Sequence, residues 1–230
     1  MSDIKLMKGD CLERMKEVES CSVHAAICDL PYGTTRCKWD SVISLEPMWE
    51  QLKRVIKPNG VIILTAQTPF DKVLGSSNLS MLKYEWIWEK TAATGHLNAK
   101  KMPMKAHENI LVFYNKLPTY NAQKTVGHKP VNSYSKKINQ DGECYGSTKT
   151  ASGGGNTDRY PRSIQVFSSD KQKVKLHPTQ KPVALMEYLI KTYTNESETV
   201  LDFTMGSGTT GVAAKNLNRN FIGIELDENY

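Results

Sequence analysis

Apolar positions along the chain follow two patterns, and their alternation predicts the architecture. The run HAAICD ending at Asp29 and the run NGVIILTA ending at Ala66 are short and nearly continuous, as strands buried on both faces are. Between them, EPMWEQLKRVIK sets Met48, Trp49, Leu52, Val55 and Ile56 on one face at helical spacing. Further strands are expected at YEWIWEK and NILVFYN. Toward the C-terminus come a helix at KPVALMEYLIKTYT, a strand at TVLDFT, a helix at TTGVAAKNLNR and a strand at NFIGIEL. Strands alternating with helices predict an α/β fold with a doubly wound, mostly parallel sheet. In such sheets ligands bind beyond the carboxyl ends of the strands, and DLPY (29–32) and DFTMGSG (202–208) both stand at that kind of position.

Between Asn115 and Lys175 the periodicity stops. The segment is polar and rich in glycine and serine, with a run at Gly153, Gly154 and Gly155. Loops this long inside a compact domain are functional or disordered, so 116–175 is expected to be an inserted recognition region, or for its central part a disordered linker. Residues 1–115 and 176–230 then form two halves of one domain. Of 230 residues, 30 are Lys or Arg and 24 Asp or Glu, a net charge of +6. Lys116 to Lys175 alone holds eleven basic against four acidic residues, a balance of +7, so the rest is near −1. Tyr120, Tyr134, Tyr145 and Tyr160 interleave with these charges. Such a block is ordinarily just a solvated surface, or a contact for phosphates when something else points to nucleic acid.

Composition narrows the class further. With 39% hydrophobic and 23% charged residues, the chain reads as a soluble globular protein without a membrane span. The charged N-terminus lacks the apolar stretch of a secretory signal, so a cytoplasmic location is expected. The five cysteines show no zinc-site spacing, and free thiols are expected, with Cys28 a small packing residue. No metal site is predicted.

LDFTMGSGTTG follows an apolar strand and opens a helix, and Gly206, Gly208 and Gly211 fit the G-x-G-x-x-G template. Glu225, nineteen residues past Gly206, stands where an acid can hold ribose hydroxyls. The loop by itself allows NAD or S-adenosylmethionine. Asp202 suits the second better, because a carboxylate there can face the ammonium of a methionine moiety but would repel a phosphate.

Six segments in order extend this reading: GDCLERM (9–15), DLPY (29–32), AHENILVFY (106–114), HPTQKP (177–182), DFTMGSGTTG (202–211) and FIGIELDE (221–228). In that order the chain resembles the amino-group DNA methyltransferases of the β arrangement, acting on adenine N6 or cytosine N4, over nearly its whole length. The resemblance implies a Rossmann-like methyltransferase fold, S-adenosylmethionine as methyl donor and DNA as substrate. It implies that Asp29, Leu30, Pro31 and Tyr32 form the catalytic turn. Asp202, Phe203, Gly206, Ser207, Gly208 and Thr209 would cradle the methionine and nucleoside, and Glu225 would clamp the ribose. Thr179 and Lys181, with His177 nearby, would hold the methionine carboxylate, and Asp10 would lie near the cofactor or the target amine. Two departures stand out: Leu30 replaces the usual proline, although only a backbone carbonyl is needed there, and the chain stops at Tyr230 where relatives usually continue into a helix.

The chemistry fits these residue types. An adenine amine is a poor nucleophile because its lone pair is delocalised into the ring, so acceptors at Asp29 and the Leu30 carbonyl would draw the nitrogen toward tetrahedral geometry. An extruded base would stack on Tyr32, worth roughly 1–3 kcal/mol against the few kcal/mol that flipping costs. Lys124, Lys129, Lys136, Lys137, Lys149, Arg159 and Arg162 would neutralise phosphates. Aspartate at position 29 favours adenine N6; cytosine N4, or a catalytically silent binding protein on the same scaffold, is the alternative. A homodimer and a companion restriction endonuclease are left open as partners. His107 with Glu108 lacks the second histidine of a zinc helix and is expected to be structural.

Overall fold

The alternation of apolar side chains along each strand decides which layer each residue enters. On β2 (Val23–Asp29), Ala26 and Cys28 join one buried cluster while Ala25 and Ile27 join another. On β3 (Ile56–Ala66), Ile62, Leu64 and Ala66 divide from Val61 and Ile63 in the same way. The first cluster is covered by α1 (Cys11–Met15), α2 (Leu45–Val55) and α3 (Phe70–Ser76). The second is covered by α4 (Val183–Tyr193) and α5 (Thr209–Asn216). The result is a sheet with helices on both faces. Each large aliphatic chain sunk in these layers, such as Leu52 or Leu189, contributes about 1.5–3 kcal/mol.

The chain is seen here as a computed structural model that describes residues 2–33, 41–136, 151–169 and 180–227. The remaining strands are β1 (Ile4–Lys8), β4 (Leu82–Thr94), β5 (Lys105–Phe113), β6 (Tyr134–Lys136), β7 (Ala151–Gly153), β8 (Ile164–Phe167), β9 (Thr199–Asp202) and β10 (Asn220–Glu225). With β2 and β3 included, eight of the ten described strands form one sheet in the order β1-β10-β9-β2-β3-β5-β4-β8. It is parallel except where β5 runs antiparallel to β3 and β4, as the mostly parallel expectation required. β9 and β2 are direct neighbours, pairing Ala25 with Val200 and Ala26 with Leu201. The chain leaves β9 toward β10 and leaves β2 toward β3, in opposite directions across the sheet. Their carboxyl ends therefore flank a topological switch point, where a crevice forms.

Two compact units divide the chain: Met1–Asn121 with Ser163–Tyr230, and Ala122–Arg162. The boundary falls inside the expected insertion of 116–175. Strand β8 pairs with β4 in the main sheet, so 163–169 belong to that sheet and not to the insertion. Only four residues long, IQVF offers too short an alternation to stand out from its polar surroundings. The smaller unit carries the β6–β7 hairpin and an isolated bridge between Thr125 and Arg159.

Candidate active site

A cavity of about 1040 Å³ opens at the carboxyl ends of β1, β2, β9 and β10, and it holds both candidate motifs. Asp29, Leu30, Pro31 and Tyr32 line it from one side; Asp202, Phe203, Thr204, Gly206, Ser207 and Thr209 line it from the other. Segments nearly two hundred positions apart meet because parallel neighbours put equivalent ends on the same edge. A hydrogen bond joins them: Thr204 Oγ1 donates to the Asp29 backbone carbonyl at 3.0 Å.

The Asp29 carboxylate is held by three donors. Tyr32 Oη donates to Oδ1 at 2.7 Å and Thr65 Oγ1 to the same oxygen at 2.5 Å. Lys181 Nζ lies 2.6 Å from Oδ2. Burial, then the charge of Asp29, pushes the Tyr32 phenol well above its ordinary value, so Tyr32 stays a donor. With both hydroxyl protons on Asp29, the 3.1 Å approach of Tyr32 to Thr65 is a contact with no proton left to share. An ionised carboxylate offers about four lone-pair positions, so one remains for an incoming N–H.

Lys181 is itself held between two acids. Its Nζ is 3.2 Å from Glu108 Oε2, and Glu108 Oε1 is 2.6 Å from Lys90 Nζ. Burial pulls the Lys181 ammonium down, but Asp29, Tyr32 and Glu108 outweigh it and leave it well above the ordinary lysine value. Burial likewise pushes the Glu108 carboxyl up, and Lys181 and Lys90 pull it net below its usual range. The row Asp29, Lys181, Glu108, Lys90 alternates in sign, which is what allows Lys181 and Glu108 to be buried between the half-buried Asp29 and Lys90. The structure thus places Lys181 against the Asp29 carboxylate. Glu108 is part of this row, beyond the structural role expected of it, while His107 is exposed.

The glycine loop has the backbone its residues predict. Gly206 and Gly208 sit at φ +49 and +78, where a side chain is strained, and a Cβ at either would meet nothing within 4 Å. Gly208 N-caps α5 without itself lining the cavity. Gly211 serves close packing, since a Cβ there would lie 2.7 Å from Phe221 Cε1. Glu225 Oε2 accepts from Gly206 N at 2.7 Å, and Oε1 accepts from Leu226 N and Asp227 N, both at 2.9 Å. Asp202 is 3% exposed and its carboxyl is pushed up to about 7 by burial, against which hydrogen bonds from Thr210 and the Thr204 amide work only partly. A buried carboxyl with no cation beside it among the described residues, an open glycine turn and an acid at the next strand end fit a cationic, ribose-bearing ligand.

Several other expectations take a specific form. Leu30 and Phe203 are 4% and 1% exposed and belong to the core, so Phe203 forms wall more than contact surface. Asp10 lines the cavity but spends Oδ1 on capping α1, accepting from Leu12 N and Glu13 N. Cys28 is buried with its thiol pushed well above 9.0, mainly by burial, as a packing residue should be. His177, Thr179, Lys137 and Lys149 lie outside the described residues.

In the smaller unit the basic side chains are unlike one another. Lys124 pairs with Asp158 at 2.7 Å and lies 4.3 Å over the Tyr160 ring. Arg159 donates to the carbonyls of Lys129, Asn156 and Asp158, so its guanidinium ties the unit together and is not free for phosphate. Lys129 and Arg162 are exposed, and Lys136 lies on β6. Thr65, Thr204 and Lys90 went unnoticed in the sequence, and no local pattern marks them.

Among the described residues no cluster of metal-ligating side chains occurs, and no helix is long and apolar enough to cross a membrane. Residues 23–230 match the family model described as DNA methylase (N6_N4_Mtase). The chain belongs to this DNA methylase family. Among its relatives, the type II methyltransferase M1.MboII of Moraxella bovis is 29% identical over 98% of this chain and 93% of its own. The type II methyltransferase M.HpaI of Haemophilus parainfluenzae is also 29% identical, over 99% of this chain and 72% of its own. Of solved structures, the M1.HpyAVI complex with S-adenosylmethionine superposes with a TM-score of 0.66 at 25% identity, covering 99% of this chain and 95% of that one. The cytosine-N4-specific PvuII DNA methyltransferase superposes with a TM-score of 0.72 at 14% identity, over 99% and 83%, a likeness of fold alone. The DNA methylase fold read from the sequence is therefore the observed one.

Proposed function

We propose that this DNA methylase transfers a methyl group from S-adenosylmethionine to the N6 amine of adenine in DNA, at a specific site. The observation that carries the reading is the Asp29 carboxylate, held by Tyr32, Thr65 and Lys181, in the same cavity as the glycine turn and Asp202. S-adenosylmethionine supplies an electrophilic methyl carbon. Asp202 would hold its ammonium and Glu225 its ribose, and Gly206 and Ser207 would let the backbone lie close to it.

The remaining work is done by the chain's own groups. Asp29 and the Leu30 carbonyl accept the two amine hydrogens, localising the nitrogen lone pair for attack. Once the nitrogen carries the methyl group it is cationic, and it releases a proton toward Asp29, which need not begin as a strong base. Tyr32 presents its ring to the extruded base while its hydroxyl fixes Asp29. The Ala122–Arg162 unit supplies phosphate contacts through Lys129 and Arg162, with a steep dependence on salt. Acting on genomic DNA, the enzyme works in the cytoplasm, and a companion nuclease of the same specificity fits its type II relatives.

Incubation with S-adenosylmethionine and genomic DNA, followed by digestion to nucleosides and mass spectrometry, tests this directly. N6-methyl-2′-deoxyadenosine is the expected product. N4-methyl-2′-deoxycytidine would move the assignment to the other amine, and absence of either with the cofactor bound would mark a silent scaffold.

A further inference from the structure

Beside the cavity mouth, a hairpin connects β4 to β5 through residues 95–104, GHLNAKKMPM. Thr94, Gly95, Asn98 and Lys105 line the cavity itself, so the hairpin stands at its rim. Two features set it apart. Leu97 is 100% exposed and Met102 53%, large apolar side chains presented to solvent. Between Glu89 and Glu108 the chain carries Lys90, Lys100, Lys101 and Lys105 with two histidines and no acid.

The tip is folded, not slack. Gly95 turns the chain at φ +96, and Asn98 N donates to Gly95 O at 2.9 Å and Ala99 N to His96 O at 3.1 Å. Lys101 N and Met102 N both donate to Asn98 O, at 2.8 and 3.0 Å. The self-bonded turn holds this leucine fully in water among positive charges at the cavity rim, presented to a partner that is both anionic and apolar. Polyanions with an apolar interior are such a partner: duplex DNA offers phosphates outside and a base stack within.

We propose that this hairpin is a DNA wedge: Leu97, supported by Met102, enters the base stack where the target nucleotide leaves it, while Lys100 and Lys101 hold the flanking phosphates. Apolar side chains inserted between bases are an established way to stabilise unstacked DNA. The position follows from the cavity, because a base reaching Asp29 leaves its gap directly outside the rim on which Leu97 stands. The inference rests on the base-extruding methyltransferase reading above.

The test compares two duplexes with Leu97→Ala protein: one in which the target adenine is paired, and one in which it faces an abasic site and is already loosened. The variant is expected to lose about tenfold in kcat/KM on the paired duplex, the unstacking cost being only a few kcal/mol, and to lie within about twofold of wild type on the abasic one. Leu97 packs against nothing, so its melting temperature and S-adenosylmethionine affinity should not move. Equal losses on both duplexes, or no loss on either, overturn the wedge. Full activity with a lower sedimentation mass would make the tip a contact between copies and also overturn it. Lys100→Gln with Lys101→Gln should reduce the slope of log affinity against log salt by about 2, each phosphate contact contributing about 0.9. Wild-type protein that methylates neither duplex sinks the methyltransferase reading itself, a result distinct from an active wild type matched by Leu97→Ala.

Discussion

Lys181 Nζ lies 2.6 Å from Asp29 Oδ2, joining two residues 152 positions apart. Asp29 ends β2, and Lys181 stands just before α4. The ion pair therefore fixes the entrance of a helix on one face of the sheet to the turn of residues 29–32 at its edge. It also leaves Asp29 one open acceptor position, directed by the three groups that occupy the others.

Removing the cation should be severe in two separable ways. Lys181→Met strips the ammonium from two carboxylates, one of them the buried Glu108, and breaking a buried pair costs about 3–5 kcal/mol. Chemical denaturation should show a loss of that order. Adding Glu108→Gln should recover part of the stability, because one of the two acids is then neutral. Turnover should stay low in the double variant, since Asp29 still lacks the partner that orients it. Recovery of both together would mean that Lys181 acts through stability alone.

In the proposed mechanism Tyr32 carries two functions on one side chain, and substitution should separate them. Tyr32→Phe keeps the ring but removes one donor to Asp29 Oδ1, leaving Thr65 in place. A hydrogen bond to a charged group is worth about 1.5–3 kcal/mol, so kcat should fall by roughly ten- to a hundredfold with KM for DNA little changed. Tyr32→Ala should raise KM as well. Steady-state kinetics on a short duplex distinguishes the two patterns, and a phenylalanine variant that fails mainly in KM would place the hydroxyl on the DNA.

What could be read from the sequence was whatever leaves a local trace. The ends of β2 and β9 were legible because each closes an apolar run with a single acid, and the switch point follows from parallel pairing. Gly206 and Gly208 declared their backbone, and Gly211 its packing. Glu108, Thr65 and Lys90 were illegible because their meaning lies across the sheet: Glu108 pairs on the ladder with Trp88, and Thr65 with Asp29. The basic insertion was legible as charge but not as contact. Nothing in the string of letters shows that three carbonyls occupy the Arg159 guanidinium.

Gly211→Ala isolates packing in the glycine loop. An added methyl at this position meets the Phe221 ring at 2.7 Å and a second ring atom at 3.0 Å, with Phe221 itself 2% exposed. Overpacking of this kind costs about 1–3 kcal/mol. Thermal melting should fall by several degrees, and S-adenosylmethionine should restore part of the loss, because it binds the folded state alone. A melting point equal to wild type would show that Phe221 and α5 can shift apart freely.

If Asp202 faces the cofactor ammonium, as proposed, cofactor affinity should depend on pH near neutrality. Burial holds its carboxyl up to about 7, above an unfolded value near 3.8. A raised carboxyl stabilises the fold fully below the unfolded value, and that contribution is lost as pH rises through about 7. The cofactor acts in the opposite sense, since its ammonium requires the ionised form and binding pulls the proton off. Calorimetric affinity for S-adenosylmethionine should therefore strengthen as pH rises toward 7, by up to about tenfold per unit below it, and level off above. Binding below neutrality should release close to one proton, visible as a dependence of the heat on the buffer's ionisation enthalpy. Asp202→Asn should bind more weakly with no such slope. A slope that survives in Asp202→Asn would assign the titration to another group and remove Asp202 from the ammonium site.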